Sequence, residues 1–268
     1  MKKILLYVFM IFSLMSCEKK TDWSLQGKDK NLIVVDGTIT DEAKTQSIKL
    51  TFPVSQLNET PIPVSGATVI VSNDDSAYTL KETPANSGIY QHYFQGITGE
   101  NYTLLINYQN NIFSAKTIML PESQINQPLK DTIDNNDALH HITYIANAYD
   151  AENFAMYEIL LDWSKNHNMN PDSSARLLSY TLPTIDVSQI FAPGIQSVTF
   201  PVGTNITEKR YSITREHAEY IRALLSETNW QGGLFDASHA NLPTNLSNGA
   251  CGFFAACGVT SISLKVSP

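Results

Sequence analysis

The side chains with which this chain could do chemistry are few, and their spacing restricts them. Its three cysteines are Cys17, Cys251 and Cys257. Cys17 closes Leu14-Met15-Ser16-Cys17, directly after the basic Lys2-Lys3 and the uncharged apolar run from Ile4 to Met15. A small residue before a cysteine at the end of such a run is the pattern a lipoprotein signal peptidase cleaves. Cys17 is therefore the expected lipid attachment site, and several acyl chains on one residue hold a protein to a bilayer. Cys251 and Cys257 lie six positions apart, about 20 Å along an extended strand and beyond disulfide reach. They read as two small buried thiols packed beside Phe253 and Phe254, unless a bend at Gly252 or Gly258 brings them together.

Other candidates are weaker. His140-His141 beside Asp134 and Asp137 suggests a metal cluster, but neighbours on a strand face opposite ways, so a solvated linker is expected. Asp74-Asp75 reads as a turn, without the alternation and glycine of a calcium loop. His239 with the two late cysteines fits no common zinc spacing. No G-x-S-x-G, H-E-x-x-H or glycine-rich phosphate loop occurs, and the Ser16-to-Lys19 match spans the cleavage site. The expectation is a protein without catalytic residues, metal or cofactor. Most aromatics sit at strand positions, as Tyr102 and Tyr108 do on one face with Leu104 and Ile106, and read as core. Trp23 and Trp230 are left as possible partner contacts.

Composition agrees. The 268 residues are 43% hydrophobic and 16% charged, enough apolar material for a core. The net charge of -8 argues against nucleic acid, whose phosphates need clustered Lys and Arg. Cleavage before Cys17 removes 16 residues, two lysines among them, and leaves 252. No later run has the roughly 18 apolar residues of a spanning helix. An anchored protein is expected, with residues 17–30 a flexible tether.

The elements that would position these residues are mainly strands. Residues 31–120 carry about seven short ones, for example Ser47–Phe52 and Ala67–Val71, at the spacing of an immunoglobulin-like sandwich. Residues 121–137 are Pro-, Asn- and Asp-rich and read as a linker. Residues 138–268 read as a second β-rich unit. Strand candidates there are His141–Ala146, Ala155–Trp163, Leu177–Val187, Gln196–Val202 and a closing strand around Ile262 to Val266. One helix is expected over about 215–229, capped by Thr214, with Glu216 at its positive end and Ala218, Ile221, Leu224 and Leu225 on one face.

Taken in order, several segments carry a resemblance. Cys17 is followed by Leu32-Ile33-Val34-Val35-Asp36-Gly37-Thr38, then Pro63-Val64-Ser65-Gly66-Ala67-Thr68-Val69, Gly88-Ile89-Tyr90, Gly99-Glu100-Asn101-Tyr102 and Asn245-Leu246-Ser247-Asn248-Gly249-Ala250-Cys251-Gly252-Phe253-Phe254. The series resembles the Bacteroidetes lipoproteins catalogued as domain of unknown function 4249, with Cys251 and Phe254 as departures. The resemblance implies an outer-membrane lipoprotein, on the periplasmic face or the cell surface, accessory to a TonB-dependent receptor in nutrient uptake, its ligand unidentified. A surface structural or adhesive lipoprotein is the alternative, and a degradative enzyme a third reading. The first region also resembles transthyretin-like and carboxypeptidase-regulatory-like sandwiches. In that bacterial group Asp-Ser/Thr-aliphatic triplets are O-glycosylated, which makes Ser76 and Thr132 candidate acceptors in expected turns.

Overall fold

A computed structural model describes residues 32–54, 59–125, 129–133, 139–165, 173–184, 198–228 and 242–267. The segments expected as signal and tether, with Cys17, Trp23, Asp134, Asp137, Trp230 and His239, lie outside them.

Alternation builds the first sheet. In β1 (Val34–Thr40) and β2 (Lys44–Thr51), Val35, Ile39, Ile48 and Leu50 point inward and are buried, and Asp36 and Lys49 point out. β3 (Thr68–Ser72), β4 (Ala77–Glu82), β5 (Ile89–Phe94), β6 (Asn101–Tyr108) and β7 (Asn111–Ile118) follow. All seven match the expected strands of residues 31–120. The order is β14-β1-β2-β5-β4-β3-β6-β7, where β14 is Cys251–Cys257. β4 and β5 share only two register pairs, Lys81 with Gln91 and Glu82 with Tyr90. The sheet folds over at that thin seam, enclosing Ile39, Leu50, Val71, Leu104 and Ile106 between its halves. Each such side chain contributes roughly 1.5–3 kcal/mol on burial.

The two ends of the folded sheet are clasped by residues 244–250. Leu246 bridges to Ala115 of β7, and the Asn248 amide donates to the Ile112 carbonyl at 2.6 Å. The Asn245 amide donates to the carbonyls of Lys116 (3.2 Å) and Phe254 (2.8 Å), and its oxygen accepts the Phe254 N–H (3.1 Å). β14 then runs parallel to β1, with Val34 opposite Cys251 and Thr40 opposite Cys257. At Gly252, φ is +92°, and a Cβ would stand 2.0 Å from the Val35 carbonyl oxygen. Only glycine fits there.

A second sheet has the order β11-β10-β13-β15, from β10 (Ala155–Asp162), β11 (Ser174–Thr181), β13 (Asn205–Ser212) and β15 (Val259–Lys265). A third joins β8 (Lys130–Ile133), β9 (Leu139–Tyr144) and β12 (Thr199–Pro201). Ile159, Leu161, Trp163, Phe200 and Ile206 form one core cluster of this region. Helix α1 (Arg215–Thr228) starts as expected. The Thr214 hydroxyl accepts the His217 N–H at 3.2 Å, and Ala218 and Ile221 are buried. The described residues are thus mainly strand, in a β-rich fold with one helix.

Three expectations differ. The division at 121–137 assigned β14 to the second unit, yet β14 lies in the first sheet, and Leu32 onward forms one compact unit. Six of its seven residues are buried, so the strand shows no alternation that sequence could register. The linker segment contains β8. β13 went unseen because Glu208 and Arg210 occupy inward positions, which breaks its apolar pattern.

Candidate functional site

Antiparallel pairing of β10 with β13 sets Tyr157 opposite Arg210, Ile159 opposite Glu208 and Leu161 opposite Ile206. One sheet face therefore runs from apolar to charged. At its charged end lies a cavity of about 390 Å³, walled by Tyr157 and Arg210, by Thr181 of β11, by residues 144–147 with Asp150 and Asn153, and by Ser123 to Ile125.

Arg210 is 8% exposed, with its Nε and Nη1 both engaged. Its Nη1 donates to Glu122 Oε1 and to the Ser123 hydroxyl, and its Nε donates to the Tyr157 hydroxyl at 3.1 Å. The guanidinium carbon lies 5.8 Å from the Tyr157 ring centroid. Burial raises the Glu122 carboxyl against the opposing pull of Arg210 and Ser123. Deeper on the same face, Glu208 is wholly buried. Desolvation raises its pKa, the backbone of Leu129 pulls weakly the other way, and neither carboxyl oxygen makes a standard hydrogen bond among the described residues. That favours the protonated acid.

The opposite wall is pinned. Asp150 Oδ1 accepts the N–H groups of Glu152 and Asn153, each at 2.9 Å, and these bonds hold its pKa low. The Asp150 N–H reaches the Leu182 carbonyl (3.1 Å), and the Thr181 hydroxyl reaches that of Asn147 (2.6 Å). The Tyr144 hydroxyl donates to Asn147 Oδ1 at 3.1 Å. The cavity is lined mainly by polar groups, held in place by these bonds.

The residues singled out from sequence lie elsewhere. Ser76 is exposed in the β3–β4 turn, its N–H bonded to Asn73 Oδ1 at 2.7 Å. Thr132 lies in β8, paired with His141, where a turn had been expected. His140 and His141 belong to β9 and not to a solvated linker; His140 is buried and stacks on Phe200 at 6.1 Å. Cys251 and Cys257 are both free thiols at opposite ends of β14; Cys257 is buried as expected, but Cys251 is exposed. Burial pushes the Cys257 thiol up to about 12. Among the described residues no group of three His, Cys, Asp or Glu side chains stands close enough to hold a metal ion. Sequence reasoning missed Arg210, Glu122 and Tyr157. Two charges at alternate positions of Ile206-Thr207-Glu208-Lys209-Arg210 were the available signal.

The quoted motifs hold the scaffold. The Tyr90 hydroxyl donates to the Val64 carbonyl (2.8 Å) and accepts the Ala67 N–H (2.9 Å), tying Gly88-Ile89-Tyr90 to Val64-Ser65-Gly66-Ala67. The Glu82 carboxylate accepts the Gly88 N–H (2.9 Å), the Gly66 N–H (3.2 Å) and the Ser65 hydroxyl (2.7 Å). The Tyr102 hydroxyl accepts the Ile97 N–H at 2.7 Å.

A clasped β-sandwich with a second β layer and a preformed polar cavity defines a β-rich scaffold protein. The chain belongs to the family described as "Domain of unknown function (DUF4249)", whose model matches residues 18–263. No curated protein matches it.

Proposed function

We propose that the protein is a lipid-anchored, non-catalytic binding component of the outer membrane. It works beside a TonB-dependent receptor in nutrient uptake. The observation that carries this is the junction at Cys17. The family match begins at residue 18, one position past Cys17, and this supports the reading of Cys17 as the first residue left after cleavage. The preformed cavity supports a binding role, since a fixed concave site with a few polar groups is how small ligands are held. On this reading Cys17 carries acyl chains, and Ser76 and Thr132 are O-glycosylated. Glycopeptide mass spectrometry finding both bare would remove the second clause.

The test is affinity purification of the tagged lipoprotein from solubilised outer membrane. Co-purification of a TonB-dependent channel is expected. Its absence, with growth of a deletion strain unchanged on every nutrient a neighbouring channel imports, would overturn the role. An adhesive reading draws on Leu105, Ile112 and Ile118, exposed on the β6–β7 hairpin. Surface shaving by protease separates the two, because adhesion requires exposure outside the cell.

A further inference from the structure

We propose that the cavity between β10, β13 and the 144–153 segment binds a neutral, hydroxyl-rich small molecule of one or two rings. This rests on the reading of the protein as a binding component. Charge accounting comes first. Arg210 is the cavity's single cation among the lining residues, and the Glu122 carboxylate at its Nη1 already balances its charge. An anionic ligand would share that one cation with the Glu122 carboxylate and meet its repulsion. It would also meet Asp150 on the facing wall.

A cationic ligand would meet the Arg210 guanidinium, which lies 5.8 Å from the Tyr157 ring centroid, and at Asp150 one carboxylate oxygen, Oδ1, already accepts two backbone N–H groups. What remains at the mouth is amide chemistry. Gln124, Asn147 and Asn153 are exposed there, each with two amide N–H donors; the Asn147 oxygen already accepts from Tyr144 and the Asn153 side chain also bonds Asp150, which leaves part of each amide for a ligand. A hydroxyl also donates and accepts, so a polyol matches this set where an ion does not. The volume, about 390 Å³, lies at the small end of the roughly 300–1,000 Å³ typical of ligand pockets. Because the Thr181–Asn147 and Asp150–Leu182 bonds fix the wall in advance, little ordering cost is left for binding.

The experiment uses the full-length protein in a detergent without a sugar headgroup. Probes are maltose, cellobiose, galactose and myo-inositol, against glucose 6-phosphate, citrate and spermidine, read by saturation-transfer NMR and calorimetry. At least one neutral probe should saturate the protein. Asn147→Ala and Asn153→Ala should each weaken it about tenfold. Asn107→Ala, on the outer face of the sandwich, should leave it unchanged. Both cavity asparagines are exposed, so unchanged circular dichroism is expected of either variant. If no neutral probe binds at millimolar concentration, if an anion or the polyamine binds more tightly, or if the cavity variants match wild type, the proposal is overturned. A channel that co-purifies while every neutral probe fails leaves the accessory role standing and removes the ligand class. Binding without a channel does the reverse.

Discussion

Tyr90 shows how much one hydroxyl can hold. It is 1% exposed and satisfies the Val64 carbonyl and the Ala67 N–H together. Tyr90→Phe keeps the ring and strands both groups, so a loss of about 1–3 kcal/mol in urea unfolding is expected. His217 makes a pH prediction. Burial lowers its pKa from 6.5 to about 4, its ring stacks on Phe253 at 5.0 Å, and its Nδ1 has no hydrogen-bond partner among the described residues. The unfolded chain takes up this proton below pH 6.5 and the folded one only near 4. Stability is therefore full above 6.5 and falls as pH drops towards 4, by roughly 3 kcal/mol at most. His217→Phe should flatten that part of the profile. Thiol labelling gives a third check. Under native conditions a maleimide should modify Cys251 and spare Cys257, which is buried and has a raised pKa; denaturation should expose both.

Among elements, the clasp of residues 244–250 stands out, because it closes a sheet whose edges would otherwise offer unpaired backbone. Asn245→Ala removes three hydrogen bonds across that closure. A loss of about 2–3 kcal/mol is expected, and hydrogen exchange should quicken in β7 and β14 before β3. This clasp explains what sequence could and could not convey. Strands β1 to β7 were legible because each alternates about a one-sided core. The helix was legible from Thr214 and its apolar face. β14 was not, since a strand buried on both faces has no period, and its partner β1 lies more than 200 residues earlier. The cavity was illegible for a related reason. Arg210 meets Glu122 and Tyr157 only once three separate segments converge, and no local spacing encodes that.

The whole molecule is joined at the far ends of β1 and β14. Asp41 Oδ1 accepts the Val259 N–H (2.9 Å), and Glu42 bonds Lys209 and Lys44, each at 2.6 Å. Burial raises the Glu42 carboxyl, and the two lysines outweigh it, so its pKa ends low. The Ser212 hydroxyl reaches the Leu120 carbonyl (2.6 Å), and Gly258 donates to the same carbonyl (3.1 Å). With β14 and β15 separated by Gly258 alone, neither sheet can unfold without pulling on the other. Calorimetry should show one cooperative transition, with calorimetric and van't Hoff enthalpies in agreement. Glu42→Gln should lower the midpoint by the equivalent of about 1 kcal/mol or less, given its partial exposure, and leave the transition single.

The parallel pairing of β1 and β14 also sets a direction. The described chain begins at Leu32, beside Gly249. Seven residues of β1 later it reaches the junction where Leu120 bridges Cys257 and Arg210 lines the cavity. Seven strand residues measure about 23 Å. β1 therefore acts as a strut, with Leu32 at its foot and the cavity at its head. A pull on the chain at Leu32 therefore reaches the cavity only through the hydrogen-bond ladders that β1 shares with β2 and β14.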